Sequence, residues 1–201
     1  MSITRKICFL ATAMAAVSLL WSCASTGSAP VPGVSTEAAL EDGTKVVLAV
    51  LSGAEIRQAF GSDPEANPFI IKYSIIGARS VDYLVVRFTI DSPSPLTAEL
   101  IDASAVDATG TVRTRTFDRR GFIEEAAALA PMIENQARRE ETIRRNYIPE
   151  GAFSVKPGRH SWVIVLRGSH PLPSSLTIRV RGLVNGTMQE MTLPLPDGFT
   201  S

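Results

Sequence analysis

Three observations predict a mainly β domain built as an antiparallel two-sheet sandwich with a helical insertion. Short runs alternate apolar and polar residues with period two, as at Leu84, Val86, Phe88 and Ile90. Turn signals separate these runs at close intervals, Asn185-Gly186 being the strongest. One stretch, Asp118–Tyr147, switches to Ala, Glu, Arg, Gln and Met, all helix formers. Strands and helices do not alternate steadily, which argues against a doubly wound sheet. An immunoglobulin-like or related sandwich fits best, with an open barrel second. The sandwich is assigned to residues 45–196, the helical insert to 118–147 and a tail to 197–201.

The elements follow in order. Val46–Leu51 reads as the first strand. Ser52 and Glu55 have capping-box spacing and open a helical turn through Ile56 and Phe60. Phe69–Ile76 and Asp82–Ile90 read as strands, the second half-buried, and Asp91–Pro95 ends it because proline cannot continue a ladder. Leu96–Val106, with a bulge, and Thr111–Phe117 form a hairpin around Asp107–Gly110. In the second arm Val112, Thr114 and Thr116 face one way, and Arg113, Arg115 and Phe117 the other. Asp118 can cap the insert, and Pro131 kinks it or divides it near Ala130. Glu140–Arg144 and Glu141–Arg145 are four-apart pairs of favourable order. Ala152–Val155, His160–Arg167, Ser175–Arg181 and Thr187–Leu193 complete eight or nine strands. Pro194-Leu195-Pro196 closes the fold.

Length and charge bound the function. The chain has 201 residues, with 20 basic and 20 acidic side chains and 45% hydrophobic residues. That composition is too apolar for a disordered chain. Zero net charge argues against a bulk nucleic-acid binder, so no nucleic-acid partner is expected. Both cysteines, Cys8 and Cys23, lie at the N-terminus, so the body has no disulfide, thiolate nucleophile or cysteine metal site.

The first 23 residues carry a basic tip, Arg5 and Lys6, and then an apolar run from Ile7 to Trp21. This is the layout of a secretory signal, assigned to residues 1–22. Leu20-Trp21-Ser22-Cys23 resembles the lipobox of bacterial lipoproteins, with Trp21 standing where that class usually has a small or β-branched residue. The resemblance implies cleavage before Cys23, lipidation of that cysteine (palmitate among its acyl chains) and a membrane anchor. Ala24, where an aspartate would retain the protein at the inner membrane, implies the outer membrane bounding the periplasm, with either leaflet open to it. Cleavage near Ala24 by the ordinary route, or an uncleaved anchor, are the alternatives. Loss of Arg5 and Lys6 would leave the mature chain at −2. Residues 23–44 are rich in Ser, Thr, Gly, Pro and Ala and read as a lipidated flexible tether.

Chemistry-bearing residues are sparse. His160 and His170 are the only histidines, and no zinc motif, phosphate loop or nucleophile elbow occurs, so no metal or cofactor is expected. His160 and Ser161 would face opposite sides of a strand. Glu124, Glu125, Glu140 and Glu141 offer carboxylates for glycoside hydrolysis, but on a helix they read as solvating residues. Asp102 and Asp107 read as surface and turn residues. Arginine on outward strand faces is the most distinctive feature: Arg113 with Arg115, Arg179 with Arg181, and Arg87 joining one pair. Adjacent strands would make these a basic stripe for phosphate, carboxylate or an acidic partner. Phe117, Phe122, Tyr147 and Phe153 bracket the insert. They either dock it on the sheet or, Phe122 and Tyr147 foremost, line a groove beside it. The leading expectation is a non-enzymatic protein-binding or assembly module tethered in the cell envelope, with another envelope protein as partner. The alternatives are a binder of a small or polymeric anionic ligand such as envelope glycan, and a hydrolase of unfamiliar type.

Overall fold

The computed structural model describes residues 34–63, 66–70, 83–129, 135–167 and 176–195. The signal, Cys23, most of the strand expected over 69–76, Pro131, His170 and the tail lie outside the described residues. Phe69, the first residue of that expected strand, sits in a turn.

Among the described residues nine strands and three helices appear in the order β1 (Val34–Ala39), β2 (Lys45–Val50), α1 (Gly53–Phe60), β3 (Tyr83–Ser92), β4 (Leu96–Asp107), β5 (Val112–Arg115), α2 (Arg119–Leu129), α3 (Gln136–Asn146), β6 (Phe153–Val155), β7 (Gly158–Arg167), β8 (Leu176–Val184) and β9 (Thr187–Leu195). Two antiparallel sheets result, one ordered β1-β2-β3-β7 and the other β5-β4-β8-β9. β6 pairs with β4 at Leu96–Ala98, on the edge that β5 occupies further along.

The period-two pattern decides what each face meets. Register puts Val46, Leu48 and Val50 of β2 beside Ile90, Phe88 and Val86 of β3, and these beside residues up to Ile164 of β7. This face packs against Ala103, Ala105, Ile178, Val180, Met191 and Leu193 of the second sheet in one continuous core. The sandwich expectation holds on this point. Trp162 lies at the edge of that core, its ring against Phe153 at 5.0 Å.

The other face of the first sheet is also covered, which corrects the half-buried reading of β3. Val85, Val163 and Val165 point away from the second sheet yet are buried. The insert lies on them as a third layer. Its two ends are hydrogen-bonded to β7: Phe117 N–H donates to Val165 O at 3.0 Å, and Ile148 N–H to Val163 O at 3.0 Å. Those bonds satisfy backbone groups along the edge of β7 that would otherwise be open. Thr116 N–H donates to Ala103 O of β4, so the chain crosses between sheets at residues 116–117.

Val34–Ala39 corrects the tether boundary. These residues form an edge strand with alternating exposure, Val34, Thr36 and Ala38 turned inward. Small side chains give the segment a linker's composition while its periodicity is that of a strand. The turn into β2 is held by Leu40 N–H to Thr44 O at 2.8 Å and Thr44 N–H to Asp42 Oδ1 at 2.9 Å. Pro194, expected to end the last strand, lies within β9 opposite Thr177; β9 is an edge, where a missing N–H is tolerated.

Local signals behave as expected at two termini. The Ser52–Glu55 capping box closes, with Ser52 N–H to Glu55 Oε2 at 2.8 Å and Glu55 N–H to Ser52 Oγ at 3.3 Å. Asp118 Oδ1 accepts the Gly121 N–H. Asn185 and Gly186 both have positive φ, 50° and 78°, as a two-residue hairpin requires. The expected bulge in β4 falls between Leu100 and Asp102. There Gly182 passes so close that an added Cβ would lie 2.9 Å from Glu99 O. Gly182→Ala is expected to cost about 1–3 kcal/mol by forcing these strands apart, read as a lower urea midpoint.

Candidate functional site

The insert docks through an aromatic cluster. Phe122 of α2 packs on Phe69 at 5.7 Å, Tyr83 at 5.4 Å, Phe117 at 5.9 Å and Tyr147 at 5.7 Å. Phe122 is 0% and Tyr147 2% exposed, so neither ring lines an accessible groove; they fasten the insert instead. Tyr147 Oη donates to Phe117 O at 2.6 Å and accepts the Val165 N–H at 3.2 Å, which locks the end of α3 to β7. Arg139 of α3 is buried beside this cluster, where it and Glu125 act on the Tyr83 hydroxyl; Glu125 also pairs with Arg167 at 3.2 Å.

Burial pushes the Tyr147 phenol up to about 12 and the Tyr83 phenol higher still, Glu125 adding to the latter. Both folded values lie above the unfolded value near 10. The stability they contribute is therefore complete below about pH 10 and lost as pH rises through the folded values. Alkaline titration followed at 295 nm should show these two phenols ionising only as the chain unfolds. Tyr147→Phe should remove part of that alkaline loss.

The expected basic stripe divides. Arg115 and Arg179 flank Ser104 on the outer face of the second sheet, with Arg181 opposite Asp102 in the next row. Carboxylates match them: Arg115 reaches Asp102 at 3.9 Å, and Arg179 and Arg181 share Glu190 at 3.1 and 3.7 Å. Arg113 does not share the regular alternation with Arg115. The β4–β5 register slips between Ala105 and Val106, and Arg113 donates to Asp107 Oδ2 at 2.6 Å. The Thr109 hydroxyl, with the Thr111 N–H and Arg113, holds the Asp107 carboxyl down at about 2. This face is thus a charge-balanced surface, with Ile101, Val112 and Met188 exposed elsewhere in the same sheet's strands.

Arg87 belongs to neither pair. It lies on the first sheet, opposite Val163, in a cleft of about 390 Å³ between the sheet, the last turn of α1 and the last residue of α3. The lining is Ala59, Phe60, Arg87, Asn146, Arg159, Ser161, Trp162 and Val163. Ser161 Oγ bonds Thr89 Oγ1 at 2.8 Å on the floor. Asn146 spends its amide N–H on Thr142 O at 2.8 Å, leaving its own carbonyl oxygen for other donors. Among the described residues neither Arg87 nor Arg159 has a carboxylate within ion-pair distance. Asp91 stands opposite Arg159 in the ladder without reaching it. Two guanidinium groups against apolar walls concentrate positive potential, which suits capture of an anion.

Arg159 and Asn146 were missed in the sequence, and Ser161 was weighed only as a hydrolytic residue beside His160. A signal existed for two of them: starting the strand at Gly158 instead of His160 places Arg159, Ser161 and Val163 on one face by period two.

The residues weighed for hydrolysis do not converge. Glu124, Glu140 and Glu141 pair along their own helices with Arg120, Arg144 and Arg145 at 2.9, 2.6 and 2.6 Å. His160 stacks on Trp162, on the face of β7 opposite Ser161. Among the described residues no three His, Cys, Asp or Glu side chains group as metal ligands, and no helix is long and apolar enough to cross a membrane. No protein-family model matches the chain, and no curated protein matches it.

Proposed function

We propose that the chain is a lipid-anchored binding module of the cell envelope, held through acylated Cys23 at the outer membrane, and that its body captures an anionic ligand without transforming it. The observation that carries this reading is the pairing of Arg87 with Arg159 in one cleft, each without a carboxylate partner among the described residues. Every other sequence-predicted arginine of the stripe is already matched. The ranking of the sequence reading is thereby reversed, ligand capture ahead of protein docking.

Anchoring and capture fit together physically. Each buried methylene of an acyl chain contributes about 0.8 kcal/mol, so several chains on one cysteine hold the module without help from the body. At no more than about 3.6 Å per residue, the span from Cys23 to Val34 limits the first strand to about 40 Å from the anchor. The cleft would then sample ligand close to the membrane surface.

The test is competition between salt and ligand. Full-length protein in neutral detergent should bind galacturonate or inorganic phosphate at low ionic strength, and Arg87→Gln should weaken that binding about tenfold, the effect of losing a hydrogen bond between charged groups. Binding unchanged by Arg87→Gln would remove the cleft from the account.

A second reading, an assembly module for another envelope protein, draws on the uncovered outer face of the second sheet. Ile101, Val112 and Met188 are exposed there or at its margins. If that face docks a protein, Arg179→Glu with Arg181→Glu should abolish co-purification of a stoichiometric partner while leaving anion binding intact.

A further inference from the structure

The geometry points to a ligand with at least two acidic groups along a hydroxyl-rich chain, lying lengthwise over β3 and β7, in preference to a single small anion. This rests on the cleft reading above and deepens it. Arg87 stands opposite Val163, and Arg159 follows four residues away along β7 on the same face. At roughly 3.3–3.4 Å per residue their backbones are about 13–14 Å apart along the strand. One carboxylate or phosphate can be forked bidentately by either guanidinium, and reaching both would require the two side chains to lean together against their mutual repulsion.

What lies between them is suited to hydroxyls. Ser161 lines the interval, its Oγ bonded to that of the buried Thr89, and keeps hydrogen-bonding capacity beyond that bond. The Asn146 carbonyl borders it from α3, while Phe60 supplies an apolar wall from α1. A chain of saccharide or polyol units with an acid on more than one unit matches this order: acid, hydroxyls, acid. The volume of about 390 Å³ lies in the range of small-molecule sites, about 300–1,000 Å³, so the cleft holds a short stretch of such a chain and leaves the rest in solvent. The acid can be a carboxylate, as in a polyuronate, or a phosphate, as in a polyol phosphate.

Calorimetric titration of the full-length protein in neutral detergent tests this. The probes are galacturonate and trigalacturonate, glycerol phosphate and its trimer, and neutral maltotriose. At least one acidic trimer should bind ten times tighter than its monomer or better, maltotriose should not bind, and the tighter acidic trimer identifies the acid. Arg87→Gln and Arg159→Gln should each cancel the trimer's advantage, with Arg179→Gln neutral. Trimers no tighter than monomers, with monomer binding still lost in Arg87→Gln, would overturn the two-acid inference and leave the cleft reading standing. No binding by any acidic probe, or binding indifferent to both cleft arginines, would overturn the two together.

Discussion

Phe122→Ala should lower the unfolding free energy by about 3–5 kcal/mol, the range for removing a fully buried aromatic ring. The ring has four aromatic neighbours with centroids between 5.4 and 5.9 Å. They come from the turn after α1, from β3, from the start of the insert and from its end. No single neighbour can close the gap without moving the others. The loss should therefore extend beyond stability. α3 ends at Asn146, which borders the cleft, and Tyr147 beside it is both stacked on Phe122 and bonded to β7. A loosened insert should weaken anion binding although Phe122 does not line the cleft. Urea unfolding measures the first effect and calorimetry the second. Phe122→Leu should cost under about half as much and spare binding, since it retains most of the apolar volume. A cost below about 1 kcal/mol for the alanine variant would mean that the insert is not fastened by this cluster.

Cys23→Ala should have an all-or-none effect on processing. If Cys23 is the acylated residue, the variant takes up no radiolabelled palmitate and remains as a longer precursor that keeps Met1–Ser22. The wild-type chain should yield an acylated form beginning at Cys23. On the proposed reading the Cys23 thiol is the one attachment point for the anchor's glyceride, since no other cysteine follows position 23. Cys8→Ala should leave processing unchanged, because that residue lies within the segment that the proposed cleavage would remove. Palmitate uptake by the Cys23→Ala variant would place the anchor elsewhere.

How far the sequence could be read depended on the range of the forces involved. The Ser52–Glu55 box and the Asn185-Gly186 turn are decided within four residues, and both were legible. So were the period-two pattern of β3 and β7 and the β-rich run of β2. β1 was hidden because Ser, Thr, Glu and Ala give Val34–Ala39 a linker's composition, and its strand state depends on pairing with β2. Burial of Val85 on the outer face of β3 depends on an insert that arrives about thirty residues later in the chain. The arginine pattern was legible as residues and illegible as a site. Asp102 and Glu190, which neutralise Arg115, Arg179 and Arg181, come from neighbouring strands whose order no local pattern fixes. The cleft needs α1, β3, α3 and β7 at once, so no local pattern joins Arg87 to Arg159, although period two along β7 puts Arg159 on one face with Ser161 and Val163.

The central claim is that ligand is held between the insert and the first sheet. Hydrogen–deuterium exchange of the full-length protein, with and without trigalacturonate or glycerol phosphate trimer, tests it most directly. Ligand should slow exchange in peptides covering 57–61, 86–91, 143–147 and 158–163, and leave those covering 112–115 and 177–192 unchanged. Protection confined to the second sheet, around Arg115, Arg179 and Arg181, or protection nowhere, would contradict it.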